Sequence, residues 1–263
     1  MECKIVKRVW VAAVAAGICV SASAASAAVF NITSLTGNWV EYTPTDVYGL
    51  NIQNTTDSSR IAWGDPANGV DQSSFVVDWI IPPAVEVDTD VATEFDLGVF
   101  THNNFWLYGA PQGSTAITAA VLDVAMEFMI GSASFLIEQS FTFDFEETLN
   151  FPDNNGPCAF GGTAGSGVNI EGCADRIQFT RNEGTGDSVI VDGVEYTLDI
   201  SGFMVGDQLA SFFLTEEKQS SEAVLVGRIV ANELPNVPLP AAGWLLLGGI
   251  GGLAAFKRVR RKA

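Results

Sequence analysis

Through the middle of the chain, apolar side chains recur at every second position, and the breaks in that rhythm fall at turn-forming residues. Phe141-Thr-Phe-Asp-Phe145 alternates aromatic and polar side chains, which sends one face of an extended segment into a core and the other into water. Phe75-Val-Val-Asp-Trp-Ile-Ile81 is a β-rich run that stops at Pro82-Pro83. Val189 to Val191 and Val194 to Leu198 flank Asp192-Gly193, a pair suited to a tight hairpin because both central residues of a type I′ turn need positive φ. Phe203, Leu209 to Leu214 and Ala223 to Val230 add further strands, the last two divided by a polar turn from Thr215 to Glu222. Ile117 to Met129 mixes helix-favouring Ala119, Ala120, Ala125 and Met126 with Val121, Val124 and Phe128, and reads as a strand. Short strands set off by Gly, Asn, Asp and Pro predict an all-β fold, a single antiparallel β-sandwich or jelly-roll-like domain over residues 29–231.

The pattern changes at both ends. Residues 1–28 place Lys4, Lys7 and Arg8 before an apolar stretch from Val9 to Val20 and a run of small residues from Ser21 to Ala28. Ala25-Ser26-Ala27 has the spacing that signal peptidase accepts, so the segment reads as a removable signal peptide. Its apolar stretch would span only about 18 Å as a helix, short of a bilayer core of about 30 Å, which argues against an uncleaved anchor. Ile18 is a poor neighbour for a lipid-modified Cys19, so a lipoprotein signal is set aside. At the other end, a linker over 232–236 leads to Val237-Pro238-Leu239-Pro240-Ala241, where two prolines hold the chain extended. An uncharged, glycine-rich run from Ala241 to Phe256 follows, with Trp244 near its start, and then the basic cluster Lys257 to Lys262. As a helix the apolar run covers about 24 Å, enough for a short transmembrane segment with snorkelling bases on the cytoplasmic side.

Proline motif, apolar helix and basic stop, in that order over residues 237–263, resemble the VPLPA variant of the PEP-CTERM class of sorting signals. The resemblance implies export past signal peptidase and transient residence in the membrane through the C-terminal helix. It further implies cleavage by an exosortase-like transpeptidase and delivery of the body to the cell surface or an exopolysaccharide matrix. Phe100-Thr101-His102-Asn103-Asn104-Phe105 is in turn similar to the signature of the THxN family of PEP-CTERM proteins, with Thr101, His102 and Asn104 matching its fixed letters. That family brings an architecture and no activity. Read on its residues alone, the segment is a polar turn between strands, its Asn side chains bonding the backbone.

Charge narrows the partners. The two ends hold eight of the 13 basic residues and one of the 31 acids, so the body between them carries a formal charge of −25, against −18 for the whole chain. Such a body is repelled by phosphate backbones, which excludes nucleic acid. The plain reading of the acids is a soluble, self-repelling surface. The sharper one is calcium binding by carboxylates on a shared face. Its candidates are Asp88 and Asp90 in Glu86-Val-Asp-Thr-Asp90, and Asp144 with Glu146, two apart on a predicted strand.

Cys158 and Cys173 are the two cysteines outside the signal segment, and an isolated pair in an exported domain reads as a disulfide. Closing that loop is worth about 3 kcal/mol in the chain-entropy model, where the loop itself, rich in Gly, Ser and Asn, has little to bury. The single histidine, His102, supports no histidine-rich zinc site, and no serine or cysteine nucleophile stands beside it. The chain therefore reads as a non-catalytic surface or matrix protein. A calcium-assisted carbohydrate-binding module is the alternative, with Trp39, Trp63 or Trp106 stacking on sugar rings. A secreted polysaccharide hydrolase using paired carboxylates is the third reading.

Overall fold

A computed structural model describes residues 27–67, 71–89, 92–109, 112–148, 156–181 and 187–235. The segment 1–26, Asp90, the motif Val237 to Ala241 and the rest of the C-terminal tail lie outside the described residues. The first strands in chain order are β1 (Ala28–Thr43), β2 (Asn51–Asn54), β3 (Ser58–Trp63), β4 (Asp65–Pro66), β5 (Ser73–Trp79), β6 (Val85–Val87), β7 (Thr93–Asn104) and β8 (Leu107–Tyr108). They are followed by β9 (Ala119–Ile130), β10 (Ala133–Glu146), β11 (Asp175–Arg181), β12 (Val189–Val191), β13 (Val194–Val205), β14 (Gln208–Ala210), β15 (Phe212–Thr215) and β16 (Gln219–Glu233).

Two antiparallel sheets form the domain. One runs β15-β11-β10-β9-β1-β6 and the other β12-β13-β16-β7-β5-β3-β2, with β14 beside β13, while β4 and β8 make a small ribbon of their own. A single core fills the space between the sheets, and its largest fully buried members are aromatic: Trp63, Phe30, Phe75, Phe100, Phe128, Phe141, Phe143 and Phe203. Rings meet across the gap, Phe30 of β1 against Tyr196 of β13 at 5.1 Å, and Phe100 of β7 stacked on Phe143 of β10 at 5.3 Å. Burial of these faces drives the pairing, at roughly 25 cal/mol per Å² of apolar surface.

The ambiguous segment before Ile130 is strand: Leu122, Val124, Met126 and Phe128 of β9 are all buried, and Glu127 between them is exposed. Pairing with β1 and β10 on both sides overrides the helical preference of its alanines. At the β12–β13 hairpin, Asp192 and Gly193 both have positive φ, 51° and 84°, as the tight turn requires. The polar turn predicted from Thr215 to Glu222 is much shorter. β15 ends at Thr215 and β16 begins at Gln219, because Gln219 to Glu222 pair with Asn104 to Thr101 of β7 and supply ladder hydrogen bonds despite their polarity.

The same pairing corrects the reading of Thr101 to Asn104 as a turn. These residues belong to β7, which is flanked by β5 on one side and β16 on the other. A polar sequence is tolerated there because His102 Nδ1, Asn103 and Asn104 find partners within the protein.

Phe75 lies at the centre of the aromatic core, 4.9 Å from Trp63, 5.4 Å from Phe100, 5.0 Å from His102 and 5.5 Å from Phe145 between ring centroids. Phe75→Ala is expected to lower unfolding stability by about 3–5 kcal/mol in a urea titration. A loss under about 1 kcal/mol would show that the rings do not form one packed unit.

Candidate functional site

Side chains two apart on a strand share a face, so His102 and Asn104 of β7 both turn inward between the sheets. Directly opposite, Asp175 at the start of β11 is paired with Thr215 of β15. His102 Nδ1 and Thr215 Oγ1 share a hydrogen bond of 2.8 Å, and Asn104 Nδ2 donates to Asp175 Oδ2 at 2.8 Å. Two successive inward residues of one sheet are thus tied to two paired residues of the other. On the opposite face of β7, Asn103 stays within its own sheet, donating to Ser74 Oγ at 2.9 Å and accepting from Ser220 Oγ at 2.5 Å. Thr101 is also buried.

Around Asp175 three carboxyl groups gather. Asp175 and Glu217 are both buried, and Glu147 stands at the exposed rim. Asp175 Oδ1 accepts the Thr148 backbone N–H at 2.7 Å, and its carboxylate also shares a hydrogen bond with Glu217. Thr148 Oγ1 donates in turn to the Cys173 carbonyl. The Cys158–Cys173 disulfide is formed, and Asn169 Oδ1 accepts the Ala174 N–H at 2.8 Å, so the cysteine loop is fixed to the residues that lead into β11.

Burial sets the protonation of this cluster. It pushes Glu217 up to about 9, helped by the charges of Asp175 and Glu147 and opposed by Asn104 and Lys218. Burial also raises Asp175, to about 6, while the hydrogen bonds from Thr148, Asn104 and Glu217 pull it back. Near neutral pH Glu217 therefore keeps its proton and donates it to an ionised Asp175, an arrangement that holds one negative charge where two would repel.

His102 takes no part in that charge. Full burial lowers it to about 3, so the ring is neutral. It packs between Trp63, stacked at 6.0 Å, and the edges of Phe75 and Phe145, both at 5.0 Å. His102 Nε2 and Trp63 Nε1 are buried without a hydrogen-bond partner, a cost that the aromatic packing around them offsets.

Asp90 is outside the described residues, and the other calcium candidates lie on separate parts of one sheet. Asp88 is exposed beyond the edge strand β6, whereas Asp144 and Glu146 lie on β10, with β1 and β9 between. Asp144 and Glu146 do share the outer face, where Thr180 Oγ1 donates to Asp144 and Arg176 forms an ion pair with Glu146. Among the described residues, no group of three or more His, Cys, Asp and Glu is arranged to hold a metal ion. Trp39 and Trp63 are core residues, and Trp106 is 44 % exposed.

The sequence signalled His102 and Asn104 but not their counterparts. Asp175 and Glu217 are 42 residues apart and meet only because β11 and β15 pair. Its place two residues after Cys173 is the one local cue to Asp175.

Because the folded pKa values of Glu217 and Asp175 lie above the ordinary carboxylate range, the fold favours their protonated forms. Their stabilising contribution is complete below about pH 4 and is lost as pH rises through about 6 and then about 9. Stability should fall over that window, and Glu217→Gln, which mimics the neutral acid, should flatten the upper part. An unchanged slope in the variant, measured by denaturant titration at several pH values, would contradict the assignment.

No protein-family model matches the chain, and no curated protein is similar to it.

Proposed function

We propose that the chain is an exported, non-catalytic protein of the cell surface or extracellular matrix, whose body is freed from a membrane-held tail by an exosortase-like enzyme. The observation that carries this reading is the Cys158–Cys173 disulfide, which pins a glycine-rich loop beside the buried carboxyls. Such a bond persists in oxidising compartments, in keeping with the signal-like residues 1–28 and the VPLPA-type tail over residues 237–263. The finer description of the body as a jelly-roll-like sandwich belongs to the same proposal, supported by sheets of six and eight strands on one core.

The hydrolase alternative gains nothing from the carboxyl cluster. Asp175 and Glu217 are hydrogen-bonded to each other, and a glycosidase needs its two carboxyls on either side of the scissile bond. Carbohydrate binding keeps an exposed tryptophan, Trp106.

Mass spectrometry of the protein recovered from cells and medium tests the proposal. The mature form is expected to begin at Ala28 or Val29 and to lack peptides containing Trp244. Intact C-terminal peptides on the mature form would leave a permanent membrane anchor in place of a sorting signal.

A further inference from the structure

Three aromatic side chains with polar edges are part exposed: Trp106 at 44 %, Tyr108 at 51 % and Tyr48 at 37 %. The backbone brings them together. Asp65 pairs with Tyr108 and Pro66 with Leu107, and the Ala67 N–H donates to the Trp106 carbonyl at 3.0 Å, so Trp106 continues the β4–β8 register. Trp106 and Tyr108, two apart, share one face about 7 Å from each other along the strand, while Leu107 between them packs on the core. Tyr48 joins through the Gly64 N–H, which donates to its carbonyl at 2.8 Å immediately before Asp65.

These segments are held rigidly. Ser73 Oγ both accepts from the Phe105 N–H at 3.1 Å and donates to the Phe105 carbonyl at 3.0 Å. Gln72 Nε2 bonds the carbonyls of Gly49 and Gly64, joining the Tyr48 loop to β4. The Tyr48 N–H donates to Ser114 at 2.9 Å, and Ser114 Oγ donates to Asp46 at 3.2 Å. Rigid aromatic surface of this kind loses little entropy when a ligand lies on it.

Charge selects among ligands. Asp46, Asp65 and Asp71 belong to the same segments, and the chain has no Lys or Arg between Arg60 and Arg176. An anionic polymer or an acidic membrane surface is repelled. Tyr and Trp offer flat faces for sugar C–H groups and O–H and N–H edges for hydroxyls, and they attract cations over the ring.

We propose that the ledge of Trp106, Tyr108 and Tyr48 binds a polysaccharide whose sugar rings carry free amino groups, the rings stacking on the aromatics and the ammonium groups facing Asp65 and its neighbours. This deepens the surface or matrix role by naming a ligand class, and it rests on that role for the encounter with polysaccharide. Binding is read in vitro and delivery in cells, so the two fail separately.

The test uses the full chain, purified with its disulfide formed, at physiological salt. Calorimetry is run with a short glucosamine oligomer, the matching N-acetylated oligomer and an oligolysine peptide. The glucosamine oligomer is expected to bind, and Trp106→Ala and Tyr108→Ala should each weaken it about tenfold with unchanged melting temperature. Phe212→Ala, which removes an exposed aromatic on β15, should leave it unaltered. Absence of binding, or equal binding by the ledge variants, overturns the proposal. Equal affinity for the N-acetylated oligomer overturns the role of the amines, and tighter binding of oligolysine overturns the assignment to a sugar.

Discussion

An amide on one sheet donating to a carboxylate on the other, Asn104 to Asp175, lets polar side chains occupy the end of an otherwise aromatic core. Phe75, Phe100, Phe143 and Phe145 can close the middle of the gap by burial alone. At the end where β11 begins, the chain instead presents acids, and these pack only because each is supplied with a donor or a proton. Asn104 and the Thr148 N–H serve Asp175, Glu217 retains its own proton, and the neutral His102 completes the row through Thr215. A buried pair of ionised carboxylates at this position would cost more than its packing returns.

The disulfide belongs to the same construction. Cys173 precedes Asp175 by two residues, and its carbonyl accepts from Thr148, whose N–H serves Asp175. Closing the loop to Cys158 therefore orders the residues that present the central carboxylate, besides restricting the unfolded chain. Oxidising conditions and a well-formed carboxyl cluster are coupled through a few covalent and hydrogen bonds.

Much of this was legible along the chain. Alternation in Phe141 to Phe145, the Asp192-Gly193 turn and the cysteine pair each state a local physical requirement, and each is met. Thr101 to Asn104 misled because polarity in a short stretch is shared by turns and by inward-facing polar strands, and only the β5 and β16 ladders decide between them. Asp175 and Glu217 were illegible for a different reason: their meeting depends on the pairing of β11 with β15, a long-range contact that no local spacing encodes. Trp39, Trp63 and Trp106 look alike in sequence, yet two lie in the core and one stands on the surface, since burial follows from register and not from residue type.

An acidic exterior and an acid-bearing interior thus obey opposite rules. Outside, the charges repel one another and repel anionic surfaces. Inside, burial holds a carboxyl neutral so that it donates to its neighbour. Carboxyl-carbon NMR of labelled Glu217 through a pH titration measures that interior state directly. A protonated carboxyl at pH 7 that titrates near 9 is expected. Titration in the ordinary carboxylate range, near 4, would contradict it.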